Sequence, residues 1–149
     1  MSTTFSFKWL LFCGAFILSI NLIPRSECHG EILIICNPSV HTDRLSREGI
    51  KDIFTGKVLT WPDNTDIEPI TLKTGPVHVE FVKNFTDKSE AQFLRYWRNM
   101  TFTGKGIAPK SMNTEQEVVK FVTETPGAIG YISSSTAPEK TKIVEITDN

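Results

Sequence analysis

Thr74, Gly75, Pro76, Val77 and His78 follow a short apolar stretch and open an amphipathic one, an order that sets a helix start just past a strand end. At such a start the backbone N–H groups of Gly75, Val77 and His78 have no partner within the helix. The Thr74 hydroxyl stands beside them and the helix dipole is positive there, so the chemistry on offer is the binding of a small anion. Pro76 removes one donor. Lys73 adds a point charge, without the planar fork of an arginine. The plainer reading of the same residues is a strand-to-helix turn with Thr74 as N-cap. A second candidate pair, Asn37 and Ser39, follows a strongly apolar run. Open α/β sheets bind ligands beyond the carboxyl ends of their strands, although Asn and Ser are also ordinary turn residues.

Other residue types carry less. Thr103-Gly104-Lys105-Gly106 mimics half of a phosphate loop but lacks the full spacing and the following Ser or Thr. Trp61, Tyr96, Trp97 and Tyr131 suit either a ligand cleft or the core, and large aromatics with one polar tip are more often core or seam residues. His41 and His78 have no Cys, Asp or Glu at metal-ligand spacing, so no metal and no cofactor is expected. No Ser/His/Asp order, nucleophile elbow or activated cysteine is present, and no catalytic residue is assigned: the sequence reads as that of a non-enzymatic protein.

The elements that position these residues follow from periodicity and caps. Leu45 to Trp61 holds a short helix that ends hard: Ser46 is its N-cap, and Leu45 and Ile50 form a hydrophobic staple. Ile50, Ile53 and Phe54 make one apolar stripe, and Gly56 closes the helix. Glu31–Cys36 is a continuous apolar run, hence a central strand buried on both faces. Glu68–Leu72 is a second strand, and a helix from Pro76 carries Val77, Phe81, Val82 and Phe85 and breaks near Thr86 and Asp87. Ser89 with Gln92, and Thr114 with Glu117, start two further helices. Ala128–Ile132 is another buried strand, in which Gly130 implies close packing, and Ile143, Val144 and Ile146 form a final edge strand. Strands separated by helices in this way imply an α/β fold with a mainly parallel central sheet and helices on both faces.

The chain has 149 residues, enough for one domain. Lys8 is followed by a fifteen-residue apolar run, Trp9 to Ile23, then by Pro24, Arg25, Ser26 and Glu27, the pattern of a secretory signal peptide. The run is shorter than the roughly 20 residues of a spanning helix. Residues 1–28 are expected to be the leader and 29–149 the exported domain, with no membrane span after cleavage. Residues 1–28 contain Lys8, Arg25 and Glu27, so the remainder keeps 14 basic and 16 acidic side chains, net charge −2. A nearly neutral domain has no electrostatic reason to seek nucleic acid. Cys36, inside the first strand, is expected to be a buried packing residue.

The run LSREGIKDIFTGKVLTWPD, followed by a strand, a glycine turn and a helix, and later by TPGAIGYI, resembles the phosphate-binding component of phosphate ABC transporters. More closely, the chain is similar to short, single-domain members of the type II periplasmic binding protein superfamily, over roughly Glu31 to Ile146. The resemblance implies one such domain, exported to the periplasm and descended from a non-enzymatic anion binder. The residues that could hold phosphate or a similar oxyanion at strand ends and a helix start are those read above, Asn37, Ser39, Lys73, Thr74, Gly75, Val77 and His78. It also implies an envelope or transporter protein as partner. The family carries an arginine and an Asp-Gly-Ser-Gly-Thr run where this chain has Thr71-Leu72-Lys73-Thr74-Gly75-Pro76, so the bidentate grip of an arginine is absent. The alternative is a ligand-free interaction or sensor module of the cell envelope.

Overall fold

The computed structural model describes residues 30–148, so the expected leader, with Cys13 and Cys28, lies outside the described residues. The elements in chain order are β1 (Ile32–Cys36), β2 (Arg44–Ser46), α1 (Arg47–Phe54), β3 (Glu68–Leu72) and α2 (Pro76–Thr86). They continue as α3 (Glu90–Phe102), β4 (Lys110–Met112), α4 (Glu115–Glu124), β5 (Ala128–Ser133) and β6 (Lys142–Thr147).

The helices start where cap chemistry puts them. Ser46 Oγ accepts the Gly49 N–H at 3.0 Å, and Ser89 and Gln92 form a reciprocal capping box. Thr114 Oγ1 accepts the Glu117 N–H at 3.2 Å. The helix α1 stops at Gly56, whose φ of 73° is left-handed and whose missing Cβ leaves room for the Trp97 ring. Thr74 departs from expectation: the N-cap of α2 is Gly75, and no side chain caps that helix. A φ of 110° at Gly75 carries the chain out of β3 directly into Pro76, past the position from which Thr74 would cap.

The six strands form one sheet in the order β2-β6-β1-β5-β3-β4. Pairings β2–β6, β5–β3 and β3–β4 are parallel, as the alternation of strands and helices predicts. β1 runs antiparallel to both neighbours, β5 and β6. The expected edge strand over Ile143 to Ile146 is interior, because the Arg44–Ser46 stretch, whose Leu45 and Ser46 read as the staple and cap of α1, pairs outside it as β2. The half-buried Leu45, an exposed Arg44–Glu145 ion pair and the backbone of β2 serve that pairing, so it has no apolar signature.

Strand β5 shows how the layers are built. All six of its residues are buried, and successive side chains point to opposite faces. On one face Tyr131 stacks on Phe81 of α2 at 3.7 Å between ring centroids, and Phe54 of α1 meets both rings edge-on. On the other face Gly130 lies under α4, where a Cβ would come within 2.7 Å of Val118 Cγ1 and 3.4 Å of Val122 Cγ2. Helix α4 therefore packs on one side of the sheet and α1 with α2 on the other, and Cys36 is fully buried in β1. Gly130→Val is expected to cost about 1–3 kcal/mol by overpacking, read as a lower urea midpoint at unchanged m-value. An unchanged midpoint would show that α4 does not rest on this glycine.

Candidate functional site

Because β3 and β4 are parallel neighbours, with Leu72 opposite Met112, the helices that follow them start at the same end of the sheet. Lys73 N–H still donates to Met112 O at 2.8 Å, and the chain then turns through Thr74 and Gly75 into α2. The start of α4 lies alongside. Thr74, Gly75 and Val77 from the first helix start and Asn113, Thr114 and Gln116 from the second line one open depression of about 260 Å³. Two positive dipole ends face it, and no side chain caps the N–H groups of Val77 and His78. Glu115 also borders it, but its Oε2 is held by Ser133, which donates its N–H at 2.5 Å and its hydroxyl at 2.9 Å. The second helix start escaped the sequence reading as a site element, although the Thr114/Glu117 cap that marks it was legible.

Lys73 and His78 line a separate, smaller cleft of about 130 Å³ with Thr71, Glu90 and Trp97. Lys73 is exposed. The His78 ring is buried and already committed: its Nδ1 lies 2.6 Å from Tyr131 Oη, which also accepts the Leu72 N–H at 3.0 Å. A hydroxyl that accepts from Leu72 and spends its own proton on Nδ1 satisfies all three groups, and that arrangement corresponds to the histidine tautomer with its proton on Nε2. Burial holds the His78 pKa below the ordinary histidine value, against a weaker opposing pull from Glu90. Burial likewise pushes the Tyr131 phenol up. The side chain of His78 is thus a neutral structural acceptor, and only its backbone N–H faces the helix start.

Asn37 and Ser39 lie at the opposite end of the sheet. Strand β1 runs against β5, so Cys36 pairs with Ile129, whereas β3 runs with β5 and starts there, with Glu68 beside Ala128. The side chain of Asn37 is buried and donates to Val122 O at 2.7 Å and Thr123 O at 3.0 Å, while its Oδ1 accepts the Ser39 N–H at 2.9 Å. It ties the end of β1 to the end of α4, and Ser39 is exposed. The candidate residues therefore fall into three places: the depression, the Lys73 cleft and the far end of the sheet.

The aromatics are core and seam residues with satisfied tips. Trp61 Nε1 donates to Gly127 O at 2.9 Å, Trp97 Nε1 to Phe54 O at 3.2 Å and Tyr96 Oη to Thr55 O at 2.7 Å. The Cys36 thiol is pushed up by burial to about 11, which makes it unreactive at neutral pH. Among the described residues no three His, Cys, Asp or Glu side chains gather at metal-binding distance.

A family model described as a PBP superfamily domain matches residues 14–147. The chain belongs to that superfamily. It is 32% identical over 100 residues to the phosphate-binding protein PstS of Bacillus subtilis (strain 168), a match covering 66% of this chain and 30% of that protein. Among solved structures it is similar to one described as a phosphate ABC transporter substrate-binding protein with bound phosphate from Clostridium perfringens. That match has a TM-score of 0.63 and 21% identity and covers 79% of this chain and 45% of the other. PstS from Borrelia burgdorferi matches with a TM-score of 0.60 and 18% identity, over 80% of this chain and 48% of that one. The chain thus spans less than half the length of these relatives. The solved structures establish the fold, a mainly parallel sheet with helices on both faces.

Tyr131→Phe removes the partner of both Leu72 N–H and His78 Nδ1, and should lower stability by about 1–3 kcal/mol, measured by urea unfolding. A loss below this range would show that the two groups find other partners. His78 also sets a pH dependence. Its folded pKa is depressed, so between that value and the ordinary 6.5 the unfolded chain binds a proton that the folded chain refuses. Stability is therefore full above about pH 6.5 and falls as the pH drops below it; His78→Gln, which keeps an acceptor, should flatten that limb of the unfolding-midpoint profile.

Proposed function

We propose that this domain is a non-enzymatic solute-binding module that takes phosphate or a similar oxyanion in the depression between the starts of α2 and α4. The observation that carries this reading is the convergence of two helix N-termini on one open depression beside Thr74 and Gly75. Oriented N–H groups and dipole ends solvate an oxyanion in place of water. The identity to the phosphate-binding protein PstS and the likeness to a structure with bound phosphate support the same ligand class. Export through a leader over residues 1–28, a periplasmic location and a transporter protein as partner fit this reading.

A second reading, an interaction or sensor module that has lost its ligand, is favoured by one feature. No lysine or arginine lines the depression, and the carboxylate of Glu115 stands at its rim. Under the first reading affinity is modest, because an open site cannot strip the water from an anion.

The two readings separate in thermal unfolding of residues 29–149 with phosphate, sulfate and chloride at matched ionic strength. A ligand at 100 times its dissociation constant adds about 2.7 kcal/mol, roughly 10 °C in the midpoint of a domain this size. A saturable shift with phosphate, weakened by Thr74→Ala and abolished by Thr74→Asp at this exposed position, is the expected outcome. Equal behaviour of the three salts would overturn anion binding and favour the interaction module.

A further inference from the structure

Among the described residues, α3 and the loop that leads to β4 together present exposed large apolar side chains beside cations that make no ion pair. In α3, Phe93 and Trp97 are buried, and Ala91, Leu94, Arg95, Arg98 and Phe102 fall on the opposite, exposed side at helical spacing. Leu94 is 58% exposed and Phe102, at the helix end, is 90% exposed. Five residues on, Ile107 is 92% exposed, in a loop where Gly104 has a left-handed φ of 67° and open space around it. Ile107 also forms the lip of an apolar groove of about 620 Å³ shared with Val58, Leu59, Trp97 and Pro109, and Leu59 across it is 66% exposed. The apolar surface is therefore continuous from the loop into the groove.

Along this stretch of chain the charge is of one sign. From residue 95 to residue 110 the chain carries Arg95, Arg98, Lys105 and Lys110 and no acidic residue, although the whole chain has a net charge of −1. Among the described residues none of the four makes an ion pair, whereas Arg44, Arg47, Lys51, Lys57 and Lys142 all do. Lys110 lies over the Phe121 ring, 5.0 Å from its centroid.

A solvated surface explains the cations and leaves Phe102 and Ile107 without a reason. A folded protein partner would need hollows matched to two separate apolar tips. An anionic lipid surface meets both requirements without special shape: headgroup phosphates take the cations, and the acyl boundary below them takes the apolar tips. We propose that the α3 face, with Phe102 and Ile107 as inserting tips and Arg95, Arg98 and Lys105 as headgroup contacts, docks this domain on anionic phospholipid membranes. The residues named share nothing with the depression between α2 and α4, so this proposal stands independently of anion binding there.

The test uses residues 29–149, which hold all six strands and four helices and lack the apolar run at residues 9–23 that would enter lipid by itself. The probe is co-sedimentation with vesicles of phosphatidylcholine alone or mixed equally with phosphatidylglycerol. The expected result is at least tenfold stronger partitioning onto the anionic vesicles, largely lost when salt rises from about 0.05 M to 0.5 M. Phe102→Ser with Ile107→Ser, and separately Arg98→Glu with Lys105→Glu, should each reduce it about tenfold while leaving the unfolding midpoint unchanged, since all four positions are exposed. A Phe102→Trp reporter should shift its emission to the blue on anionic vesicles only. Equal partitioning onto neutral vesicles, insensitivity to both double variants, or no partitioning at all would overturn the proposal, and the last would point to an acidic protein as the partner class.

Discussion

The hydroxyl of Tyr131 is the point on which the end of the domain that carries the depression depends. Strand β3 pairs with β5 only at Glu68 and Pro69, so by Leu72 the two strands have parted and the Leu72 N–H has no backbone partner on β5. Tyr131 reaches across and accepts it, and the same hydroxyl is hydrogen-bonded to His78 Nδ1, in the first turn of α2. The turn Lys73-Thr74-Gly75 is thereby suspended between two residues tied to one oxygen atom. The stacking of the same ring on Phe81 fixes α2 laterally, so one side chain sets where the helix begins and how it lies. A neutral His78 is part of this arrangement, because a protonated imidazole would have no lone pair at Nδ1 and would place a cation at the positive end of a helix.

The opposite face of β5 does complementary work by offering nothing. The missing side chain of Gly130 lets α4 settle onto the sheet, with Val118 and Val122 in the space a Cβ would take. At the far end of α4, Asn37 takes two of its last carbonyls. The helix is held at one end by Asn37 and at the other by its cap and by the Glu115–Ser133 contact, and its start therefore lies level with that of α2. The depression between the two starts is a consequence of this registration rather than of any residue inside it.

Local chemistry was the legible part of this fold. Ser46, Ser89 and Thr114 each act within three residues of themselves, and all three cap as the sequence reads. The direction of β1 was not legible, because Ile32 to Cys36 bury the same side chains whichever way the strand runs. That single orientation moved Asn37 and Ser39 to the end of the sheet away from Thr74. Strands β2 and β4 are three residues each and mostly exposed, so they leave no periodic trace, and without β4 nothing in the sequence says that Thr114 neighbours Thr74. The role of His78 was hidden for a related reason. Its partner is Tyr131, 53 positions away, and in a one-dimensional reading a histidine at a helix start is as good a ligand as it is a core residue.

The distribution of charge then constrains what the depression can do. Two helix starts offer roughly half a positive charge each, and the carboxylate of Glu115 nearly cancels that total except so far as Ser133 holds it. Among the described residues no lysine or arginine lines the depression. An anion there would be held by the direction of N–H groups more than by net charge, which favours selection by shape over general attraction to negative ions. Such a site gains most from whatever excludes water above it, because hydrogen bonds to an anion strengthen as the surrounding dielectric falls. A covering surface, whether a second domain, a second copy or a transporter, would therefore raise affinity without adding a residue to the site, and the open geometry seen here is the arrangement that leaves room for one.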